Sequence, residues 1–455
     1  MPIHFVPIKH CFQKISAFVI WALGVFVAAM AAYLSAKDYR HAKNALSKSR
    51  ESDDILITTP TDELEGSNQA RTNNQYERVG YGLPGEMLEL SAAHALGFIV
   101  VSTTGLLVLF YLKIYSFVKV MYALGCSNAI MIVIVLPLIQ RLGRAVGVKD
   151  KVVLRTQTME LEEVTIFSLL AFVIAYSLGA LWLYVAFTQL HPDRIAFFWI
   201  MQDVMGACMC IMFLSTIQVN SIKIASILLI AAFFYDIFFV FVTPLLTKGG
   251  KSIMVDVATS GGPPKADPAW CEKYPNDSDC LGGDPMPMLF TIPRFFDYAG
   301  GSSLLGLGDI VLPGLLISFA CRYDEAKAFI GLQSGGARRG VRSDATCRNN
   351  GGYFLPLVLA YAVGLAMANV AVYVMRMGQP ALLYLVPCCL GTISFLGWKR
   401  GELKDLWNTP RVLVAAEGIL DGRNEFETVT TNTEEDSRLE LETENFLSSS
   451  RHSIS

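Results

Sequence analysis

Two aspartates stand alone in stretches that are otherwise apolar: Asp236 within residues 224–246 and Asp309 within residues 299–321. A carboxylate at the centre of a bilayer costs roughly 2.5–3.5 kcal/mol on insertion scales, so two in neighbouring stretches point to a site. Two carboxyls held close together in a low dielectric cannot both ionise, and they share one proton near neutral pH. The ionised member then takes a proton from water as general base. The neutral member hydrogen-bonds the scissile carbonyl and stabilises the oxyanion. That is peptide hydrolysis by activated water, and it calls for no metal, no cofactor and no covalent intermediate. Gly306 and Gly308 bracket Leu307 just before Asp309 and leave bare backbone there, where a substrate strand could lie alongside. The same glycines would equally serve a tight helix seam. Intramembrane acids in broken helices also suit a proton- or cation-coupled transporter, and that alternative stands at this level of reading.

The elements that must position these acids are legible in the hydropathy. The 455 residues are 53% hydrophobic and 17% charged, with a mean hydropathy of +0.43. A soluble domain carries about 25% charged residues. Long apolar windows alternate with polar loops, which predicts an all-α, polytopic membrane protein. Nine windows fall at residues 15–36, 95–115, 118–138, 164–187, 195–217, 224–246, 299–321, 353–374 and 380–398. The first is too long for a signal-peptide core of about 7–15 residues and reads as a retained span. Basic residues follow the first, third, seventh and ninth windows, among them Lys43, Arg144, Arg322 and Arg400. By the positive-inside rule the N-terminus is then lumenal and the tail cytosolic. The organisation that follows is a lumenal start and first span (1–36), a polar cytosolic loop (37–92), spans two to six (93–246) and a lumenal loop (247–298). Spans seven to nine (299–407) enclose a cytosolic loop (322–352), and a disordered acidic tail closes the chain (408–455). Counted as helix at 1.5 Å per residue, Asp236 and Asp309 each lie about 15 Å below the lumenal edge, near the midplane.

The lumenal loop holds the acceptor sequon at Asn276 and the pair Cys271 and Cys280, close enough to join in an oxidising compartment. The other cysteines read as buried thiols. The histidines (His4, His10, His41, His94, His191 and His452) avoid span centres, and there is no H-E-x-x-H helix, so serine–histidine and zinc hydrolysis lack their parts. No basic, aromatic-interleaved patch suggests nucleic acid. Asp203, inside the fifth window, is read as a structural hydrogen-bonding group.

Tyr235-Asp236, Gly306-Leu307-Gly308-Asp309 and Gln379-Pro380-Ala381-Leu382 resemble, in order, the YD, GxGD and QPAL signatures of intramembrane aspartyl proteases, the clan of signal peptide peptidase and presenilin. Trp199 to Asp203 with Gly206 and Cys210, and the stretch 250–259, resemble the signal-peptide-peptidase-like branch, whose N-terminus is also lumenal. The resemblance implies Asp236 and Asp309 as the catalytic pair. Tyr235, Gly306, Gly308, Gln379, Pro380, Ala381 and Leu382 are implied beside the substrate. Implied partners are transmembrane substrates of single-span, cytosolic-N-terminus orientation and the lipid bilayer, with homo-oligomers admitted. The implied location is the endomembrane system: endosome or lysosome, Golgi or endoplasmic reticulum. A noncatalytic relative that binds membrane proteins is the remaining alternative. Ala368 stands where relatives often have threonine. Relatives of this branch usually carry a large lumenal domain before the first span, where this sequence has about fourteen residues, so a short form or a missing start is expected.

Overall fold

The computed structural model describes residues 6–37, 39–44, 88–89, 92–112, 114–148, 152–156, 162–188, 196–246, 287–293, 302–333, 352–375 and 379–420. Asn276, Cys271 and Cys280, most of the polar loop and the acidic tail beyond residue 420 lie outside them.

Within these residues the chain is a bundle of long helices. They are α1 (Val6–Ser35), α2 (Ala92–Leu112), α3 (Tyr115–Val146), α4 (Ile166–Thr188), α5 (Ala196–Thr216) and α6 (Ile222–Leu245). After them come α7 (Leu307–Gln333), α8 (Phe354–Met375) and α9 (Leu382–Arg400). Helix α4 shows why such sequences bundle in lipid. Its inward face is Ala171, Ala175, Gly179, Trp182 and Ala186, while Leu169, Leu170, Phe172 and Val173 point away from the protein. Small residues let backbones approach, and the large aliphatic ones meet lipid tails.

Among the described residues seven helices are long and apolar enough to cross a membrane: all those above except α2 and α7. The protein is a multi-pass, all-α membrane protein, and length and composition alone carry seven of the nine expected crossings. The apolar stretch found in α2 is the shorter Val100–Leu112. Helix α7 carries Asp309, Arg322, Asp324, Glu325 and Lys327.

The window 299–321 departs most from expectation. It does not begin as helix. Four short strands come earlier in the chain, β1 (Leu88–Glu89) beside β4 (Ile217–Gln218) and β2 (Val152–Thr156) beside β3 (Glu162–Thr165). Here residues Ser302–Gly306 form strand β6, antiparallel to β5 (Leu289–Pro293), with Leu289 opposite Gly306 and Pro293 opposite Ser302. Helix α7 starts only at Leu307, so Asp309 sits in its first turn and not ten residues deep. A strand rises about 3.3 Å per residue against 1.5 Å for helix, so the depth arithmetic built on a helix does not hold for Asp309. At its other end α7 continues to Gln333, into the stretch expected to be a loop from 322. The expected disordered tail likewise opens with helix: α10 (Leu403–Trp407) precedes residue 408, and α11 (Arg411–Leu420) packs on α7.

Two cores form, and α5 joins them. Helices α1, α6, α7, α8 and α9 pack about Leu214, Leu229, Phe319 and Tyr361. Helices α3 and α4 pack about Trp182, Phe198 and Met205. Polar contacts tie one end of the larger core. Lys43 pairs with buried Glu325 at 2.8 Å, Asp324 accepts the N–H groups of Tyr353 and Phe354 at the start of α8, and Glu402 meets Lys327 and the Tyr353 hydroxyl. Burial pushes the Glu402 carboxyl up, but hydrogen bonds from Lys327 and Tyr353 outweigh it and hold the group below its ordinary value.

Candidate active site

Asp236 lies in the last turn of the regular part of α6, and a π-helical turn, Phe238–Val242, follows at once. Such wide turns interrupt a helix where a side chain must be re-aimed, and they recur at functional sites. The Asp236 carboxyl is buried, 5% exposed, among Ala232 and Phe239 on the inward face. Asp309 enters from α7, which packs against α6, and its carboxyl is an electrostatic neighbour of the Asp236 carboxyl. The two acids expected to meet thus come from helices that pack on each other and lie within electrostatic reach.

Local structure explains how Asp309 is held. A Cβ at Gly306 would lie 3.2 Å from Asp309 Oδ2, so a side chain there would press on the acid. Gly308 has nothing within 4 Å of where a Cβ would stand and so faces open space. Pro313, inside α7, has no N–H to give to the carbonyl one turn earlier, which is that of Asp309. The hydroxyl of buried Tyr361 on α8 donates to that carbonyl at 3.3 Å. Tyr361 was not singled out from the sequence, since a tyrosine in an apolar span carries no signal of its own.

The remaining expected residues are distributed around this pair. Tyr235 adjoins Asp236 on α6, its ring 4.7 Å from that of Phe239 and its hydroxyl 3.5 Å from the Ser102 carbonyl. Pro380, Ala381 and Leu382 are buried at the start of α9, a helix that packs on α6, α7 and α8. Gln379 accepts a hydrogen bond from the Tyr384 hydroxyl at 2.6 Å. The structure thus puts the proline-led start of α9 in the same core as the acids. Asn276, Cys271 and Cys280 lie outside the described residues.

The β5–β6 hairpin was not foreseen. One face of β6 rests on α1, where Ser303 meets Ser16 at 3.1 Å and Leu305 lies against Gly24. Leu304, on the opposite face, is 42% exposed. Among the described residues β6 pairs only with β5, so its second edge has no strand partner. An extended segment thus leads straight into the helix that bears Asp309. Among the described residues no group of histidine, cysteine or acidic side chains could hold a metal ion. Cys126, Cys208, Cys210, Cys321 and Cys389 are buried free thiols, as expected.

Comparison with known proteins follows the same residues. The family model of signal peptide peptidase matches residues 84–412, which include both acids, the hairpin and the start of α9. The chain is 36% identical to signal peptide peptidase-like 3 of Arabidopsis thaliana over 71% of its own length and 51% of the relative's. It is 32% identical to signal peptide peptidase-like 2 of the same plant over 85% and 59%, and 39% identical to the human signal peptide peptidase-like 2B over 46% and 30%. It spans about half the length of the curated relatives it matches. The chain belongs to the signal peptide peptidase family of intramembrane aspartyl proteases.

Proposed function

We propose that this protein is an aspartic endopeptidase that hydrolyses peptide bonds inside the transmembrane segments of single-span proteins whose N-terminus is cytosolic. The observation that carries the reading is the juxtaposition of the Asp236 and Asp309 carboxyls within the helix bundle, at the end of a strand with an open edge. With one proton between the two acids, the ionised carboxylate takes a proton from water as the water oxygen bonds to the scissile carbon. The protonated acid hydrogen-bonds the carbonyl oxygen and stabilises the charge it acquires. Collapse of that intermediate breaks the C–N bond, and a carboxyl returns a proton to the departing amine.

The hairpin suggests how a substrate is presented. A helical peptide bond is sterically shielded, so the target must unwind before water reaches it. The open edge of β6 offers Ser302 and Leu304 backbone groups to which an unwound segment adds as a further strand, and β6 runs toward Asp309. On this reading Pro380, Ala381 and Leu382, buried at the start of α9, flank the added strand, and the open space at Gly308 admits the substrate backbone. The orientation proposed is that of the basic loops, with the N-terminus lumenal, in an endomembrane compartment.

The test uses the purified chain in liposomes with a single-span reporter. Asp236→Ala and Asp309→Ala are each expected to abolish cleavage while α-helical content and the thermal transition persist. Cleavage retained by either variant sinks the protease reading. Folded wild-type protein that captures the reporter without cutting it points to a noncatalytic binder.

A further inference from the structure

Two adjacent side chains outside the acid pair grip the hairpin that carries it. Gln202 Nε2 donates to the Leu289 carbonyl at 3.1 Å, and Asp203 Oδ1 accepts from the Thr291 N–H at 2.9 Å. Both come from α5. Leu289 and Thr291 are two apart on β5, so their backbone groups point to the same side of the strand. The other side is taken by β6: the Met288 carbonyl accepts the Leu307 N–H at 3.3 Å, and Phe290 lies opposite Leu305. Gln202 and Asp203 therefore present one donor and one acceptor to the outer edge of β5, as a neighbouring strand would.

The grip is itself held in place. The Tyr122 hydroxyl on α3 donates to the Gln202 carbonyl at 3.0 Å. Gly206, one turn further along α5, gives the hairpin room: a Cβ there would lie 3.2 Å from Leu307 Cδ2 and 3.6 Å from Phe290 Cε1. Gln202, Asp203, Phe290 and Thr291 are all buried, so water does not substitute for these bonds.

Register is what such a grip controls. A slip of one residue in β5 moves the strand about 3.3 Å and turns every side chain to the other face. Because β6 is paired to β5 and continues into α7, the same slip displaces Asp309 relative to Asp236. We infer that Gln202 and Asp203 form a register clamp on β5, and that Asp203 is a positioning residue for the proposed cleavage, acting as a hydrogen-bond acceptor and not as a third acid. This rests on the protease reading above for its effect on cutting, though the clamp itself is measurable without turnover.

Asparagine separates the two roles, since Asp203→Asn keeps the Oδ1 acceptor and the shape but removes the acid. In liposomes with the single-span reporter, Asp203→Asn is expected to keep kcat within about twofold of wild type. Asp203→Leu is expected to lose about tenfold or more in kcat with KM little changed, as displacement of a catalytic group predicts. Mass spectrometry of the products should show the wild-type cut site for Asp203→Asn and cuts spread over neighbouring bonds for Asp203→Leu. Gln202→Met, which removes the donor while keeping the length of the side chain, serves as the milder variant should the leucine fail to fold, and is expected to spread the cuts too. Amide hydrogen exchange over residues 287–306 reads the clamp directly. It should be as slow in Asp203→Asn as in wild type and about tenfold or more faster in Asp203→Leu or Gln202→Met, while α4 and α8 keep their rates. Loss of activity in Asp203→Asn with unchanged exchange overturns the positioning role. Equal exchange and one cut site in every variant overturn the clamp. Wild-type protein that shows the exchange pattern but never cuts sinks the protease reading and leaves the clamp standing.

Discussion

Pro313 leaves the Asp309 carbonyl without its helical donor, and the Tyr361 hydroxyl supplies one from α8. A buried carbonyl that loses such a partner costs about 1–3 kcal/mol, so Tyr361→Phe should lower the thermal transition by a few degrees. It should also reduce kcat severalfold with KM unchanged, because it loosens the backbone under an acid and touches no substrate. Calorimetry with steady-state kinetics checks both, and unchanged kcat would remove Tyr361 from the site. The two glycines divide more sharply. Gly306→Ala sets a methyl 3.2 Å from Asp309 Oδ2 and is expected to lower kcat by about tenfold or more. Gly308→Ala meets open space, so the free protein should keep its stability and the effect should fall on KM. A loss of stability in Gly308→Ala would refute that assignment. At this scale Asp236, Asp309 and the motif around each were legible in the sequence, because a charge in an apolar window announces itself. Tyr361 was not, because its role depends on which carbonyl Pro313 orphans and on α8 lying beside it.

Helix windows were legible to within a few residues for α4, α5, α8 and α9, where apolar runs are bounded by polar loops. Strand β6 was not, because a hydropathy window counts apolar residues without regard to period, and Ser302, Ser303 and Gly306 did not break it. What stabilises an extended segment there is supplied from far along the chain, by β5 and by the Gln202–Asp203 pair on α5. The far end of α7 was misread for a related reason. Arg322, Asp324, Glu325 and Lys327 look like loop residues until their partners are known: Gln218, the start of α8, Lys43 and Glu402. The Lys43–Glu325 pair makes the point testable. Glu325 is 1% exposed, so Lys43→Met removes a buried counter-charge and should cost about 3–5 kcal/mol. Combining it with Glu325→Met should recover most of that loss, since two apolar residues can fill the same space. Thermal unfolding of the single and double variants in detergent measures it, and a double variant no better than the single would mean that Glu325 has a role beyond the pair.

At the scale of the whole molecule the polar contacts sort the bundle by direction. The ends of α1, α7 and α9 and the start of α8 gather at one end of the larger core, through Lys43 with Glu325, Asp324 with the start of α8, and Arg400 with the Gly352 carbonyl at 3.2 Å. The acids and the hairpin lie toward the opposite end, where α7 begins. Lys43, Lys327 and Arg400 lie at that first end, which supports placing it in the cytosol, because positively charged loops are retained on that side. On the proposed orientation the hairpin faces the lumen, and substrates would unwind toward that side. The arrangement predicts that Asn276 carries a glycan that glycosidase removes, with the mobility shift abolished in Asn276→Gln. Cys271 and Cys280 should resist thiol reagents in sealed microsomes until the membrane is opened and the pair reduced, whereas a cysteine placed at Ser450 should react at once. Labelling of Cys271 in sealed vesicles would invert the molecule. The acids would then open to the cytosol, and the proposed substrate orientation would have to reverse with them, because the substrate would meet the same surface from the opposite side of the membrane.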